Sequence, residues 1–159
     1  VRVWRLSRAP RELAALIGEG GLHGAGRWHQ RGVRIVYTAA TLSLAALEVL
    51  VRVDRWSEAP DLVAIEIDVP ASVELEHVAA AELSGGWRAP TPTDETQAIG
   101  GRWIASARSA VLSVPSAVIP IERNFLINPA HPDFKRIQVA SRHSFSFDRR
   151  LLRTSRSPR

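Results

Sequence analysis

Glu48 lies in Leu42-Ser43-Leu44-Ala45-Ala46-Leu47-Glu48-Val49-Leu50-Val51, a segment apolar nearly all the way round. The helix this segment predicts should be largely buried, and a carboxylate carried into such surroundings is costly unless something pairs with it. Two readings stand side by side. In one, Glu48 is structural: it forms a buried ion pair with an arginine, or sits on a thin exposed stripe with Arg52 four residues on. In the other it points into a pocket, where it hydrogen-bonds a sugar hydroxyl or stabilises a developing cation. Gly24-Ala25-Gly26-Arg27-Trp28 is a second place where chemistry is conceivable. Its glycines permit close backbone approach, and Arg27 between Gly26 and Trp28 is placed to grip a phosphate with two parallel hydrogen bonds. An ordinary flexible loop has the same composition. The G-x-G-x-x-G spacing of a dinucleotide fingerprint is absent, and so is the Gly-Lys-Ser/Thr of a Walker loop.

Tyr37 is the only tyrosine and ends a predicted strand shortly before the Glu48 helix; a core aromatic with a satisfied hydroxyl is its plainest reading. Ser116, between apolar segments, lacks the Gly-x-Ser-x-Gly elbow of a hydrolase nucleophile. Its hydroxyl is better suited to donating to a phosphate or an amide. Asn124-Phe125-Leu126-Ile127-Asn128-Pro129 reads as a strand entering an Asn-Pro turn. Cysteine is absent and the five histidines form no His-x-x-x-His pair. Disulfides, thiolate catalysis and zinc–thiolate sites are thereby excluded, and no metal-ligand cluster is visible.

These residues need elements to hold them. Strands are predicted over residues 1–6, 33–38, 62–68, 73–78, 110–114, 117–119, 124–127, 134–139 and 144–147. A helix opens near Pro10 and ends at the glycines after Ile17, with a glycine-rich loop over residues 21–32. Thr41 caps a helix to about Val53, and Thr93 or Asp94 caps another to about Arg108. The pair Gly100-Gly101 inside that last helix implies close packing or a ligand, because each glycine costs about 1 kcal/mol against alanine. Pro115 and Pro120 imply a sheet edge or bulge. The class is α+β in a single compact domain, with strands weighted towards the C-terminus.

At 159 residues the chain suits one domain, and its 45% apolar and 23% charged residues are ordinary for a globular protein. No segment approaches the length of a membrane span, and no signal peptide is evident at the start, so a cytoplasmic location is expected. The net charge of +5 has one source. Arg149, Arg150, Arg153, Arg156 and Arg159 fall in the last eleven residues, and up to Asp148 basic and acidic residues balance at 16 each. This divides the chain into a domain over residues 1–148 and an Arg-rich tail over 149–159. The tail is either a solvated end or a contact for phosphates or an acidic partner.

Taken in order, these segments resemble the RES-domain toxins of bacterial toxin–antitoxin pairs, and within them the ParT group. The arginine, glutamate and serine that name the family match Arg27, Glu48 and Ser116. Supporting words are Tyr37-Thr38-Ala39, Gly101-Arg102-Trp103, Asn124 through Pro132, and Phe147-Asp148-Arg149-Arg150-Leu151. His29 departs from the pattern, which has asparagine after the Arg-Trp pair, and this puts a loop hydrogen bond in question. The resemblance implies a fold similar to the ADP-ribosyltransferase toxins, with mixed β-structure and flanking helices around a cleft for NAD. It implies cleavage of the nicotinamide–ribose bond and transfer of ADP-ribose to a host protein, or to water or phosphate with depletion of NAD. By the same resemblance Glu48 acts at the nicotinamide ribose, Arg27 holds the diphosphate, Tyr37 stacks on the nicotinamide, Ser116 hydrogen-bonds the cofactor, and Arg5 and Asn124 line the cleft. The implied partner is a helix-turn-helix antitoxin that occludes the active site, with DNA reached only through that complex. No metal and no membrane is implied.

A rival of another class is a nucleic-acid or protein-interaction module acting through the tail. One deletion separates the two. As an enzyme, a chain ending at residue 148 still releases nicotinamide from NAD; as a tail-driven module it loses function, and the full chain's binding falls steeply with salt.

Overall fold

The computed structural model describes residues 1–9, 12–52, 61–148 and 150–151. Along the chain run β1 (Arg2–Arg8), α1 (Glu12–Leu16), α2 (Gly20–His23), β2 (Val36–Ala39), α3 (Leu42–Leu50), β3 (Leu62–Asp68), β4 (Leu75–His77), α4 (Asp94–Ser106), β5 (Val111–Pro115), β6 (Arg123–Ile127) and β7 (Gln138–Phe145). Short 3-10 turns cover Ala80–Glu82 and Pro132–Arg136. The strands form one sheet in the order β4-β5-β6-β2-β1-β3-β7, with β4 and β5 parallel and every other pair antiparallel. With α1, α3 and α4 packed against that sheet, the chain is α+β.

Alternation along the strands sorts the core. Val3, Val36, Ile65, Phe125 and Ile127 cluster with Leu16 and Phe134. Leu6, Ala39, Leu44 and Ala45 join α3 to β1 and β2. Trp28, Trp103, Leu112, Val114 and Leu126 join α4 to β5 and β6. Tyr37 and Ala39 are two apart on β2 and therefore share a face, yet Tyr37 packs with the α4 cluster and Ala39 with the α3 cluster. A cleft opens beside α3, on the Tyr37 side of β2.

Several expectations are corrected. The segment 117–119 is a turn, because the Ser116 hydroxyl accepts the N–H groups of Val118 and Ile119 and draws the chain out of β5. Residues 134–136 belong to a 3-10 turn, with His131 Nδ1 accepting from the N–H of Asp133 and Pro132 in its first turn. The strand forms only from Gln138, and residues 144 and 145 are its end rather than a separate strand. The glycine-rich loop contains the helical turn α2, and β2 starts at Val36 rather than Val33. Nor is α3 largely buried. Only Leu44 and Ala45 are, while Leu47 and Val51 are exposed, because the helix lays one face on β1 and β2 and leaves the other open. Pro10 and Val53, expected at helix ends, lie outside the described residues.

Other expectations hold. Thr41 and Thr93 cap their helices, each accepting a backbone N–H three residues on. Pro115 ends β5 beyond the reach of β4, whose pairing stops at Ser113, so its missing N–H breaks no ladder on that side. The two adjacent glycines of α4 differ sharply. A Cβ at Gly100 would lie 1.8 Å from the carbonyl oxygen of Trp28, whereas one at Gly101 would meet nothing within 4 Å. Gly100→Ala should therefore lower unfolding free energy by about 3 kcal/mol through forced separation of α4 and the 24–29 loop. Gly101→Ala should be neutral or stabilising by up to about 1 kcal/mol. Urea denaturation of the two variants checks the pair.

Candidate active site

Four neighbouring strands and one helix converge on Glu48. Thr41 starts α3, and its cap is worth about 1 kcal/mol. The last turn of the helix carries Glu48 over β2 and β6. There Oε1 accepts two hydrogen bonds, from the Ser116 hydroxyl at 2.9 Å and from Asn124 Nδ2 at 2.5 Å. Such charge-assisted bonds are strong and fix the carboxylate plane. Oε2 is left facing Arg52, whose guanidinium nitrogen approaches to 3.7 Å, an ion pair too long to be a hydrogen bond. Both readings of Glu48 thus meet in one place: the pairing with Arg52 exists, and the carboxylate borders a cavity.

Ser116 is fully buried behind Glu48. Its hydroxyl donates to the carboxylate and accepts from the N–H groups of Val118 and Ile119 at 3.1 and 3.0 Å. Asn124 pairs with Ala39 of β2 and Val114 of β5 in the sheet. Its Oδ1 is buried without a partner among the described residues.

Arg5 marks an opening in the sheet. β1 and β2 pair only at Trp4 and Ala39, and beside that point Arg5 donates to the Tyr37 carbonyl oxygen at 2.7 Å. Burial first, and the charge of Arg52 second, pull its pKa down to about 10, which keeps it a cation at neutral pH. Its Nε has no partner among the described residues.

The 24–29 loop is pinned from several sides. Gly26 N–H donates to the His29 carbonyl at 3.0 Å, and Gln97 of α4 donates to the Gly26 carbonyl at 3.1 Å. A Cβ on Gly26 would stand 2.6 Å from the His29 ring and 2.8 Å from Tyr37 Oη, so glycine is required there. His29 supplies the loop hydrogen bonds that its departure from the family pattern had put in question. The partners assign its tautomer: Nε2–H donates to the Gly24 carbonyl at 3.1 Å, and Nδ1 accepts from the Tyr37 hydroxyl at 2.8 Å. Tyr37 Oη in turn accepts the Trp28 N–H at 3.1 Å. Burial pushes the Tyr37 phenol up to about 12, so it remains a donor. Arg27 donates to the carbonyls of Trp87 and Ala89, tying the loop to the 84–92 turn. Burial lowers its pKa, against the opposing pull of Glu48. Two of its five N–H groups are engaged in these bonds.

Two cavities adjoin Glu48. One of about 150 Å³ is bounded by Trp4, Arg5, Tyr37 and Asn124. The other, of about 550 Å³, runs along Gly26, Arg27, Arg88 and the prolines 90 and 92. Glu48 and Arg52 line both, and Glu48 is the only carboxylate among the described residues that line either. The six residues singled out from the sequence are thus brought together, five on the cavity walls and Ser116 behind them. Arg52 was visible only as a helix-surface partner of Glu48, although its i+4 spacing was the signal that it shares the cleft. Arg88, which donates to the Ala117 carbonyl at 3.1 Å, had no signal at all. Among the described residues no helix is long and apolar enough to cross a membrane.

The RES domain family matches residues 2–148. "Toxin Res" of Photorhabdus laumondii subsp. laumondii is 36% identical over 155 residues, 97% of this chain and 99% of that protein. The "Prs ADP-ribosylating toxin" of a Sphingobium species is 36% identical over 154 residues, 94% of this chain and 96% of that one. A chain in the crystal structure of the M. tuberculosis MbcT–MbcA toxin–antitoxin complex superposes with a TM-score of 0.76 at 17% identity, covering 91% of this chain and 83% of that chain. That likeness is one of fold.

His29 makes the site sensitive to acid. Burial, reinforced by Arg52 and opposed by the Gly24 carbonyl, holds its pKa below the ordinary 6.5. The unfolded chain therefore takes up a proton before the folded one does, and stability present above pH 6.5 is lost as pH falls towards the depressed folded value. The unfolding free energy from urea denaturation should decline as pH falls below about 6.5, by less than roughly 1.4 kcal/mol per pH unit for this one group. His29→Gln should remove that slope; an unchanged slope would assign it elsewhere.

Proposed function

The chain belongs to the RES domain family, and on that premise we propose that it is the toxin of a toxin–antitoxin pair that cleaves the nicotinamide–ribose bond of NAD and passes ADP-ribose to a host protein. The observation that carries the reading is the state of Glu48. One oxygen is immobilised by two donors, and the other faces a cleft whose remaining charges are arginines. The donor set suits a dinucleotide. Arg5 Nε and Asn124 Oδ1 are buried polar atoms without described partners at the smaller cavity, and the larger carries Arg27 and Arg88, apt for phosphate.

Bound NAD would supply a glycosidic bond whose leaving group, nicotinamide, departs neutral, so little acid catalysis is required. Positive charge develops at the ribose, and the Glu48 carboxylate stabilises it. Ser116 and Asn124 keep that carboxylate from rotating away, so Ser116 acts through Glu48 rather than on the substrate. Arg27 retains three free N–H groups for a phosphate. The Tyr37 hydroxyl is held by His29 and Trp28, which orients its ring as a wall for the nicotinamide. Arg5 and Asn124 complete the floor.

The name of the Sphingobium relative, a Prs ADP-ribosylating toxin, favours transfer to an acceptor over release to water. The MbcT–MbcA complex supports a cognate antitoxin. We place a helix-turn-helix antitoxin over the cleft, with DNA reached only through it, and the toxin in the cytoplasm.

Nicotinamide release from NAD by the purified chain, with and without bacterial lysate, tests this. Release that accelerates with lysate, with labelled ADP-ribose on a protein band, is expected; equally fast release without lysate would replace transfer by NAD depletion. Glu48→Gln should slow release about 100-fold or more and leave NAD affinity nearly unchanged. Full turnover in that variant would remove Glu48 from the chemistry.

A further inference from the structure

Arg52 comes just after α3 and returns over the cleft on the same helical face as Glu48. Its described contacts are loose for an arginine. The guanidinium approaches Glu48 Oε2 at 3.7 Å and stands 5.9 Å from the Tyr37 ring centroid, near the outer limit of a cation–π contact. Its side chain is 63% exposed. The other arginines of the cleft are anchored: Arg5 donates to the Tyr37 carbonyl, Arg27 to those of Trp87 and Ala89, and Arg88 to that of Ala117.

Position separates Arg52 further. With Glu48 it is one of two residues lining both cavities, so it stands at their junction. It is also an unfavourable neighbour. Its charge acts against the protonated forms of Arg5, Arg27 and His29, while Glu48 faces it as the one carboxylate of the cavity walls. Arg52 thus repels the neighbouring Arg5 and Arg27 and is offset by Glu48 across a long contact. It is useful once an anion enters the junction.

We propose that Arg52 is a substrate-binding residue that takes the diphosphate of the dinucleotide where the two cavities meet, and that in doing so it releases Glu48 Oε2 to the ribose. The inference rests on the NAD reading of the site. A ring-sized group suits the smaller cavity and a nucleotide half the larger, so the link between them passes Glu48 and Arg52. Because the ion pair with Glu48 is long and Arg52 is exposed on its side of it, exchanging Glu48 for a phosphate costs Arg52 little. Binding of the diphosphate and readiness of the carboxylate are then coupled through one side chain.

The test is calorimetric titration of the full chain with ADP-ribose, for the wild type, Arg52→Ala and Arg52→Lys, beside nicotinamide release from NAD and melting temperature. Arg52→Ala should weaken ADP-ribose binding about tenfold or more and raise KM for NAD with a smaller change in kcat, at an unchanged melting temperature. Arg52→Lys should recover binding to within about threefold, since lysine binds phosphate as a point charge. Wild-type affinity in Arg52→Ala overturns the proposal, and if the wild type still releases nicotinamide the NAD reading survives it. A lowered melting temperature in Arg52→Ala that accounts for the weaker binding and is restored by Arg52→Lys also overturns it, because that is the pattern of a cation stabilising a helix C-terminus. A wild type that neither binds ADP-ribose nor releases nicotinamide removes the NAD reading, and the proposal falls with it.

Discussion

The architecture around the cleft depends on how one carboxylate is held at the edge of an apolar core. Glu48 is brought there by a helix of leucine, alanine and valine, and its Oε1 is satisfied by two donors from separate elements, Ser116 after β5 and Asn124 on β6. Each condition constrains something else. The helix must start at Thr41 for Glu48 to fall over β2 and β6. Asn124 must pair with Ala39 and Val114 for its amide to reach the carboxylate. The 116–119 turn must close on the Ser116 oxygen to leave its proton for Glu48. A slip of one residue in β6 would put Asn124 on the opposite face, leaving a half-buried charge short of a donor.

Around that carboxylate the chain places arginines and anchors them with backbone carbonyls. Carbonyl acceptors hold a guanidinium without neutralising it, so the cleft keeps its positive field, at the cost of desolvation that lowers the pKa of Arg5 and Arg27. The same bonds close gaps in the fold. Arg5 bridges β1 to β2 beside their single paired position, Arg27 fastens the glycine loop to the 84–92 turn, and Arg88 fastens that turn to the segment after Ser116. Structural and functional roles are therefore not separable for these side chains.

The glycine loop obeys a packing constraint as much as a chemical one. Gly26 admits the His29 ring and the Tyr37 hydroxyl, and Gly100 admits the Trp28 backbone. These contacts let α4 lie close enough for Gln97 to hold the loop from behind. His29, neutral because it is buried, then orients Tyr37. Flexibility, which the glycines alone suggest, is not what the loop has: its backbone is bonded on both sides.

Features that depend only on residues adjacent in the chain were legible before any folding was considered. The caps at Thr41 and Thr93, the strand over 62–68, the turn at Asn128, and the cost of carrying Glu48 on an apolar helix are of this kind. The order of the motifs, from Arg27 to Ser116, also pointed to the family. Where those residues meet is a matter of tertiary contact. The apolar segment 117–119 and the mixed segment 134–136 became turns because Ser116 and His131 side chains took over backbone N–H groups. The depth of α3, the satisfaction of Glu48 by Asn124 and Ser116, and the placing of Arg52 at the junction of two cavities rest on contacts between elements up to 76 residues apart. Periodicity reports which face of an element is apolar; it carries no information about which distant donor reaches a given acceptor, and at Glu48 that choice defines the site.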